Sequence, residues 1–521
     1  MIPDAVRLFL SRKYLDWAEA LPPSSWQFIS HLQENRKFDR REAEEQHQKS
    51  RPPQGVEIRP LYWRLVEIFQ IEDHDRLLTG LLQLFPDLER DYTTRNFPED
   101  FRNISGGIAG GGFQQIGTIL RKKEKGKPYH LGRKYREIKD LPPEVEYIEI
   151  KIHKLLSSTI FVGIDVHLND HIASELAALH QKQYLPEVRF KNLLPWKAWR
   201  GRSYNFVGAT VANAFLARSE QTRRAVEKCI APYLHGHFME REPAVRKDGP
   251  RLPVIEVCEL KGYPGFDPAI TALQKEARPW WDSMGYSLFP EVYQDTKSLF
   301  LLPDRSGRRK RNVYSLVVLR DPYIRSLRPE AGKDEDGAIR YHTQYTVDGL
   351  MHGVCLIEFL MSAREDFAKI RKDVYRITGT ELPSRHSLGK CLELRRTVDR
   401  MSIVLERISE EFDQGEDYIR HEMADLIEMK TVEMGSHGTG HQDLRDLFIK
   451  AIRYHLGLLK KHLTVVERSI TGFVAVKNME ATYRLQRGVF WLTIVAALAA
   501  LLVIPAETWK TIWRFISSVG R

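Results

Sequence analysis

Residues 147–152, Tyr-Ile-Glu-Ile-Lys-Ile, and residues 159–168, TIFVGIDVHL, decide the fold class. The first stretch alternates apolar and charged side chains with period two, the pattern of a half-buried strand. The second is an almost unbroken apolar run, the pattern of a strand buried more deeply. Asn169 or Asp170 then offers a cap for a helix running through Leu176 and Leu179. Further short strands are predicted at Val254–Cys258, Leu299–Leu302 and Val313–Leu319, with a helical stretch at Val211–Ile230. Interleaved in this way, they predict an α/β or α+β domain over residues 141–340.

Upstream, residues 1–140 read as a mainly helical region. Its stripes are Leu61, Leu65, Ile68 and Phe69, then Leu77, Leu78, Leu81, Leu82 and Leu84. Glu42 to Gln54 is polar enough for a loop or an exposed helix end. Downstream, residues 341–487 predict long helices. Val347, Leu350, Met351, Val354, Ile357 and Met361 form one stripe, continued by Phe367, Ile370, Val374 and Ile377. Cys391, Leu394, Val398, Met401, Leu405, Ile408 and Phe412 form a second, spaced 3-4-3-4, and Phe448 to Phe473 carries a third. Heptad spacing suits helices that pack along one another, either as a bundle within one chain or as a coiled-coil stalk between chains. Residues 433–443, EMGSHGTGHQD, supply the glycines for a turn between them.

Gly488 to Ala506, GVFWLTIVAALAALLVIPA, is a run of 19 residues without a charge. At about 1.5 Å per residue it reaches roughly 28 Å, close to the ~30 Å hydrocarbon thickness, and it is expected to span a membrane once. In the tail, residues 507–521, Trp509, Ile512, Trp513, Ile516 and Val519 recur at helical spacing while Lys510 and Arg514 fall elsewhere, which predicts an amphipathic helix in the headgroup region. Trp491, Trp509 and Trp513 are the expected membrane anchors. Ala496, Ala497, Ala499 and Ala500 offer a small-residue face, and a homo-oligomer is expected. The fold class is thus α+β: a cytosolic mixed α/β region, long helices, and one C-terminal transmembrane helix.

The chain has 521 residues, 42% of them hydrophobic and 28% charged, enough to bury substantial cores in about two to four domains and to exclude bulk disorder. Asp4, Arg7, Arg12, Lys13, Asp16 and Glu19 break up the first 30 residues, so no apolar core of signal-peptide length occurs there and the bulk of the chain is expected in the cytoplasm. Cys229, Cys258, Cys355 and Cys391 form no CxxC pair, which argues against a disulfide framework and a structural zinc site.

Candidate chemistry is sparse. Gly106, Gly107, Gly110, Gly111 and Gly112, followed by Arg121, Lys122 and Lys123, would suit an anionic ligand or nucleotide, since bare backbone N–H groups approach phosphates closely. The cluster nevertheless lacks the GK[ST] of a P-loop and a preceding strong strand, and a hinge followed by a solvated basic loop is the plainer reading. Arg308, Arg309, Lys310 and Arg311 form a second basic run. With the net charge of +10 it suits acidic lipid. Aromatic stacking groups in an RNA-binding pattern are not evident, and nucleic acid is not an expected partner. Histidines fall in three groups, with Asp165, His167, Asp170 and His171 in one, His235 and His237 in another, and His437 and His441 in the third. None supplies three convergent donors by spacing and no HExxH occurs, so no metal site and no cofactor are expected.

The order of parts over residues 388–506, long helices passing straight into a membrane helix near the C-terminus, resembles the CorA-type divalent-cation transporters. That resemblance implies an oligomeric channel. In the family a Gly-Met-Asn signature closes the first span and a second span follows; here the span closes on Val503-Ile504-Pro505-Ala506-Glu507, without the signature. The sequence therefore predicts a membrane-anchored, non-enzymatic protein that senses a ligand or partner and couples it to the bilayer through a helical stalk. A CorA-like channel and a membrane-tethered enzyme are the alternatives.

Overall fold

Pro60–Phe69, PLYWRLVEIF, is buried at every position. Leu61, Leu65, Ile68 and Phe69 have helical spacing, but a segment covered on all sides cannot be told apart by periodicity, and Tyr62, Trp63 and Val66 favour extended backbone. The computed structural model describes residues 55–86, 88, 114–121, 134–181, 187–190, 202–205, 207–241, 251–263, 292–294, 299–303, 313–327, 335–378, 385–432, 443–503 and 506–519, with isolated positions before residue 45. In it the segment is a strand, β1 (Glu57–Gln70). The expected helix through Leu61, Leu65, Ile68 and Phe69 is corrected there, whereas the stripe from Leu77 to Leu84 is helical as expected, in α1 (His74–Leu84); β2 (Gln114–Leu120) and β3 (Lys134–Glu137) follow.

The chain divides into two compact units, residues 1–361 with 407–455, and residues 362–406 with 456–521. The first is built on β1. After β3 come β4 (Val145–Leu156), β5 (Thr159–Leu168), α2 (Asp170–Gln181), the small hairpin β6 (Glu187–Phe190) and β7 (Arg202–Asn205), α3 (Val207–Ile230) and α4 (His237–Glu240). Then follow β8 (Val254–Lys261), β9 (Val292–Gln294), β10 (Leu299–Pro303), β11 (Val313–Leu319), α5 (Arg320–Ser326) and α6 (Glu335–Thr378). The series closes with α7 (Arg385–Gln414), α8 (Glu416–Glu422), β12 (Lys430–Val432), α9 (Leu444–Val503) and α10 (Ala506–Val519). Ten strands form one sheet in the order β12-β9-β10-β11-β8-β1-β5-β4-β2-β3. Its pairings are antiparallel except β8 with β11 and β2 with β3. The α+β class is therefore as expected, but the sheet starts well before residue 141 and recruits β12 from beyond residue 340.

Local chemistry explains two features of this sheet. Pro60 has no N–H to give a neighbour, yet lies in a central strand; the β1–β8 register shifts between Pro60 and Tyr62, so the proline sits at a bulge. Glu411, near the end of α7, accepts hydrogen bonds from the Ser158 N–H at 3.0 Å and the Ser158 hydroxyl at 2.8 Å, pinning the β4–β5 turn.

The second unit is helical. Phe367, Ile370 and Val374 of α6, Val398 and Leu405 of α7, and Leu456, Leu459, Val466 and Ile470 of α9 are buried. Arg395 Nη1 donates to Thr471 Oγ1 at 3.0 Å, tying α7 to α9 within one chain. Among the described residues, the helix long and apolar enough to cross a membrane is Glu335–Ile377 rather than the C-terminal one, and 89% of its apolar stretch is buried inside the protein, as in a core helix. The apolar end of α9 is described as far as Val503; Ile504 and Pro505 of the expected span lie outside the described residues.

A Cβ on Gly80 would stand 1.8 Å from the Tyr233 carbonyl oxygen, whereas one on Gly389 would meet nothing within 4 Å. Gly80→Ala is expected to cost about 1–3 kcal/mol or more. Gly389→Ala, in a helix, should gain about 1 kcal/mol. Chemical denaturation of the two variants beside the parent protein checks both signs.

Candidate functional site

The pairing of β1, β5 and β4 lines up polar residues across one face of the sheet. Tyr62, His167 and Tyr147 form one row, Arg64, Asp165 and Glu149 the next, and Ile68, Phe161 and His153 a third. Apart from the partly covered Tyr147, none of this faces water. Glu149, Lys151, His153, Asp165 and His167 are all buried, so the alternation of residues 147–152 does not mark a strand with one solvated face. The first part of α6 covers the row: Thr343 accepts a hydrogen bond from the Tyr62 hydroxyl at 3.3 Å, and Asp348 accepts one from Arg64 Nη1.

Arg64 is the hub. Its Nε and Nη2 donate to the two Asp165 oxygens at 2.5 and 2.7 Å, a bidentate pair in which neither side chain has exposed surface. Lys151 Nζ lies 3.0 Å from Asp165 Oδ2. Burial works against an ionised Asp165, but Arg64 and then Lys151 outweigh it and hold the carboxyl well below the usual range. His167 is stacked between Tyr147, 4.1 Å away centroid to centroid, and Tyr62 at 5.5 Å. Its burial, and then the charge of Arg340, push its pKa down to about 3, so the ring is neutral.

A second group lies along the same face. His153 of β4, His352 of α6 and Glu422 of α8 each offer one ligand atom, and all three atoms lie within 4.8 Å of one another. His153 Nε2 is 3.2 Å from Glu422 Oε2 and His352 Nε2 is 3.8 Å from the same oxygen. The two rings are 4.3 Å apart. The hydrogen bond from His153 draws the Glu422 carboxyl below its ordinary value against the effect of partial burial, and the Tyr418 hydroxyl donates to the same group. Burial, then the neighbouring His153, holds His352 neutral.

No family model, curated protein or solved structure matches the chain.

The expected site residues are scattered or lie outside what is described. Gly106, Gly107, Gly110, Gly111, Gly112, Lys122, Lys123, Arg308, Arg309, Lys310, Arg311, His437 and His441 are outside the described residues. Arg121 is described, and its Nη2 donates to the Leu141 carbonyl at 2.8 Å, bracing a loop. Asp165 and His167 belong to the buried row, while Asp170 sits on the surface against Arg59 at 2.5 Å and His171 is exposed. That histidine group therefore does not converge. His235 is exposed, and His237 packs on Phe359 at 4.6 Å. The converging trio was missed because its members come from a strand and two helices far apart in sequence. Only the tertiary fold, and no spacing, brings them together.

Two outcomes follow from this geometry. Asp165→Asn leaves Arg64 buried beside a neutral partner and should cost about 3–5 kcal/mol by urea denaturation. His167 keeps its proton off down to about pH 3 when folded, while the unfolded chain takes one up near 6.5. Stability present above pH 6.5 is thus lost as pH falls toward 3. His167→Phe removes that component, so melting temperatures measured from pH 7 to pH 4 should fall less steeply for the variant.

Proposed function

We propose that the protein is a membrane-anchored, non-enzymatic effector. In this reading the sheet-bearing unit senses a ligand or partner, and the end of α9 crosses the bilayer once, with the bulk of the chain in the cytoplasm. One observation carries it. Val489, Phe490, Trp491, Leu492, Val495 and Leu498 are 54–70% exposed. At 100° per residue these positions point in all directions around the helix. Earlier in α9, Leu456, Leu459, Val466 and Ile470 form a single buried stripe. The helix thus changes from one apolar face to an apolar circumference, and a circumference with no protein around it suits hydrocarbon rather than water.

The flanks support the same reading. Arg484 and Arg487 precede the apolar run, and Trp491 lies within its first turn. In α10, Trp509, Trp513, Phe515 and Ile516 are exposed beside Lys510 and Arg514, the composition of a helix at the headgroup level, with lipid as its partner. Ala496, Ala497, Ala499 and Ala500 give α9 a face on which a second copy can pack closely, which supports a homo-oligomer.

The test compares the full chain with a version ending at Arg487 after alkaline extraction of membranes. The full chain should stay in the pellet and the shortened one move to the supernatant. A full chain released by alkali, or a shortened one that remains embedded, would overturn the anchor. Mass photometry of both in mild detergent reads the assembly: a discrete oligomer lost on shortening places the contact in the apolar helix.

A further inference from the structure

We propose that His153, His352 and Glu422 form a binding site for a divalent transition-metal ion of the zinc and cobalt class. The donor set points to that class. Two imidazoles and one carboxylate suit zinc, cobalt, nickel or iron, whereas magnesium and calcium call for oxygen alone. The spacing points the same way. A tetrahedral ion about 2.0–2.1 Å from its ligands sets them roughly 3.3 Å apart. The His153–Glu422 separation of 3.2 Å already matches, and the His352–Glu422 separation of 3.8 Å needs a contraction of only about half an ångström.

The Nε2 atoms of His153 and His352 lie 3.2 and 3.8 Å from the same Glu422 oxygen, and the two rings abut at 4.3 Å. A single cation can lie between all three donors at once.

Position suggests what the ion does. Both histidines are buried and Glu422 is nearly so, which leaves no open approach for a large substrate. The ion is therefore a cross-link between β4, α6 and α8. Helix α8 is in turn braced to the first turns of α9, through Arg420 to Asp446 and through Glu416 to Arg453. Metal occupancy thus stiffens the base of the long helix. The inference goes beyond the anchoring proposal and stands whether or not the end of α9 enters a bilayer.

The full chain in mild detergent, stripped with a chelator, is titrated with Co2+ and followed by visible absorption. One ion per chain with the bands of four-coordinate cobalt is expected, displaced by Zn2+ and not by Mg2+. Glu422→Gln, which keeps the shape of a partly exposed side chain, should weaken binding roughly tenfold or more with an unchanged far-ultraviolet circular dichroism spectrum. His352→Asn should do the same, and the Glu422 variant alone decides the matter if the histidine variant does not fold. The double variant His437→Ala/His441→Ala should bind as the parent does. Absence of saturable binding would overturn the site. So would bands that persist in Glu422→Gln, or bands lost in the His437/His441 variant.

Discussion

A guanidinium without exposed surface at the centre of a ten-stranded sheet sets the terms for its surroundings. Arg64 joins β1 to β5 through Asp165 and both to α6 through Asp348. Because β1 and β5 are covered on both faces, their apolar residues alone would tolerate a one-residue slip in pairing. The ion pair would not: a slip turns Asp165 to the opposite face and leaves a buried guanidinium with Asp348 in place of its bidentate partner, at a cost of several kcal/mol. The charge pair therefore fixes the register that apolar burial leaves loose. The neighbouring β4–β5 register, tied to the same Asp165 through Lys151, places His153 opposite Phe161, with His352 packed against both rings.

Much of the fold was legible in the sequence, and the misses share one cause. TIFVGIDVHL is a buried strand, Val313–Leu319 is a strand, and the stripe of Val347–Ile377, apart from the exposed Met361, lies on a buried face, as do Val398, Leu405, Ile408 and Phe412 of α7. Where the reading failed, polar residues were treated as markers of solvent. Glu149 and Lys151 suggested a wet face, yet both are buried, Lys151 against the Asp165 carboxylate. The spacing of Leu61, Leu65, Ile68 and Phe69 suggested a helix, yet Arg64 and Glu67 between them are buried as well, so the segment has no outer side. Patterning rules rest on water as the only partner for a charge, and they lose their force where the protein supplies the partner.

The candidate site was less legible than the fold for a different reason. Metal-ligand motifs are readable when donors share a helix or a tight loop. Here a strand and two helices each contribute one. What sequence does carry is a histidine in the alternating strand, His153 after Ile152, and a second one amid the apolar stripe at His352. Each alone is an unremarkable core residue; only the topology that runs α6 across β4 makes them neighbours.

The two outermost strands of the sheet, Lys134–Glu137 and Lys430–Val432, are four and three residues long and carry Lys134, Arg136, Glu137 and Lys430. Short, charged borders offer little template for a foreign strand. A sheet bordered in this way resists edge-to-edge pairing, so a second copy that meets it finds no free strand long enough to extend the ladder.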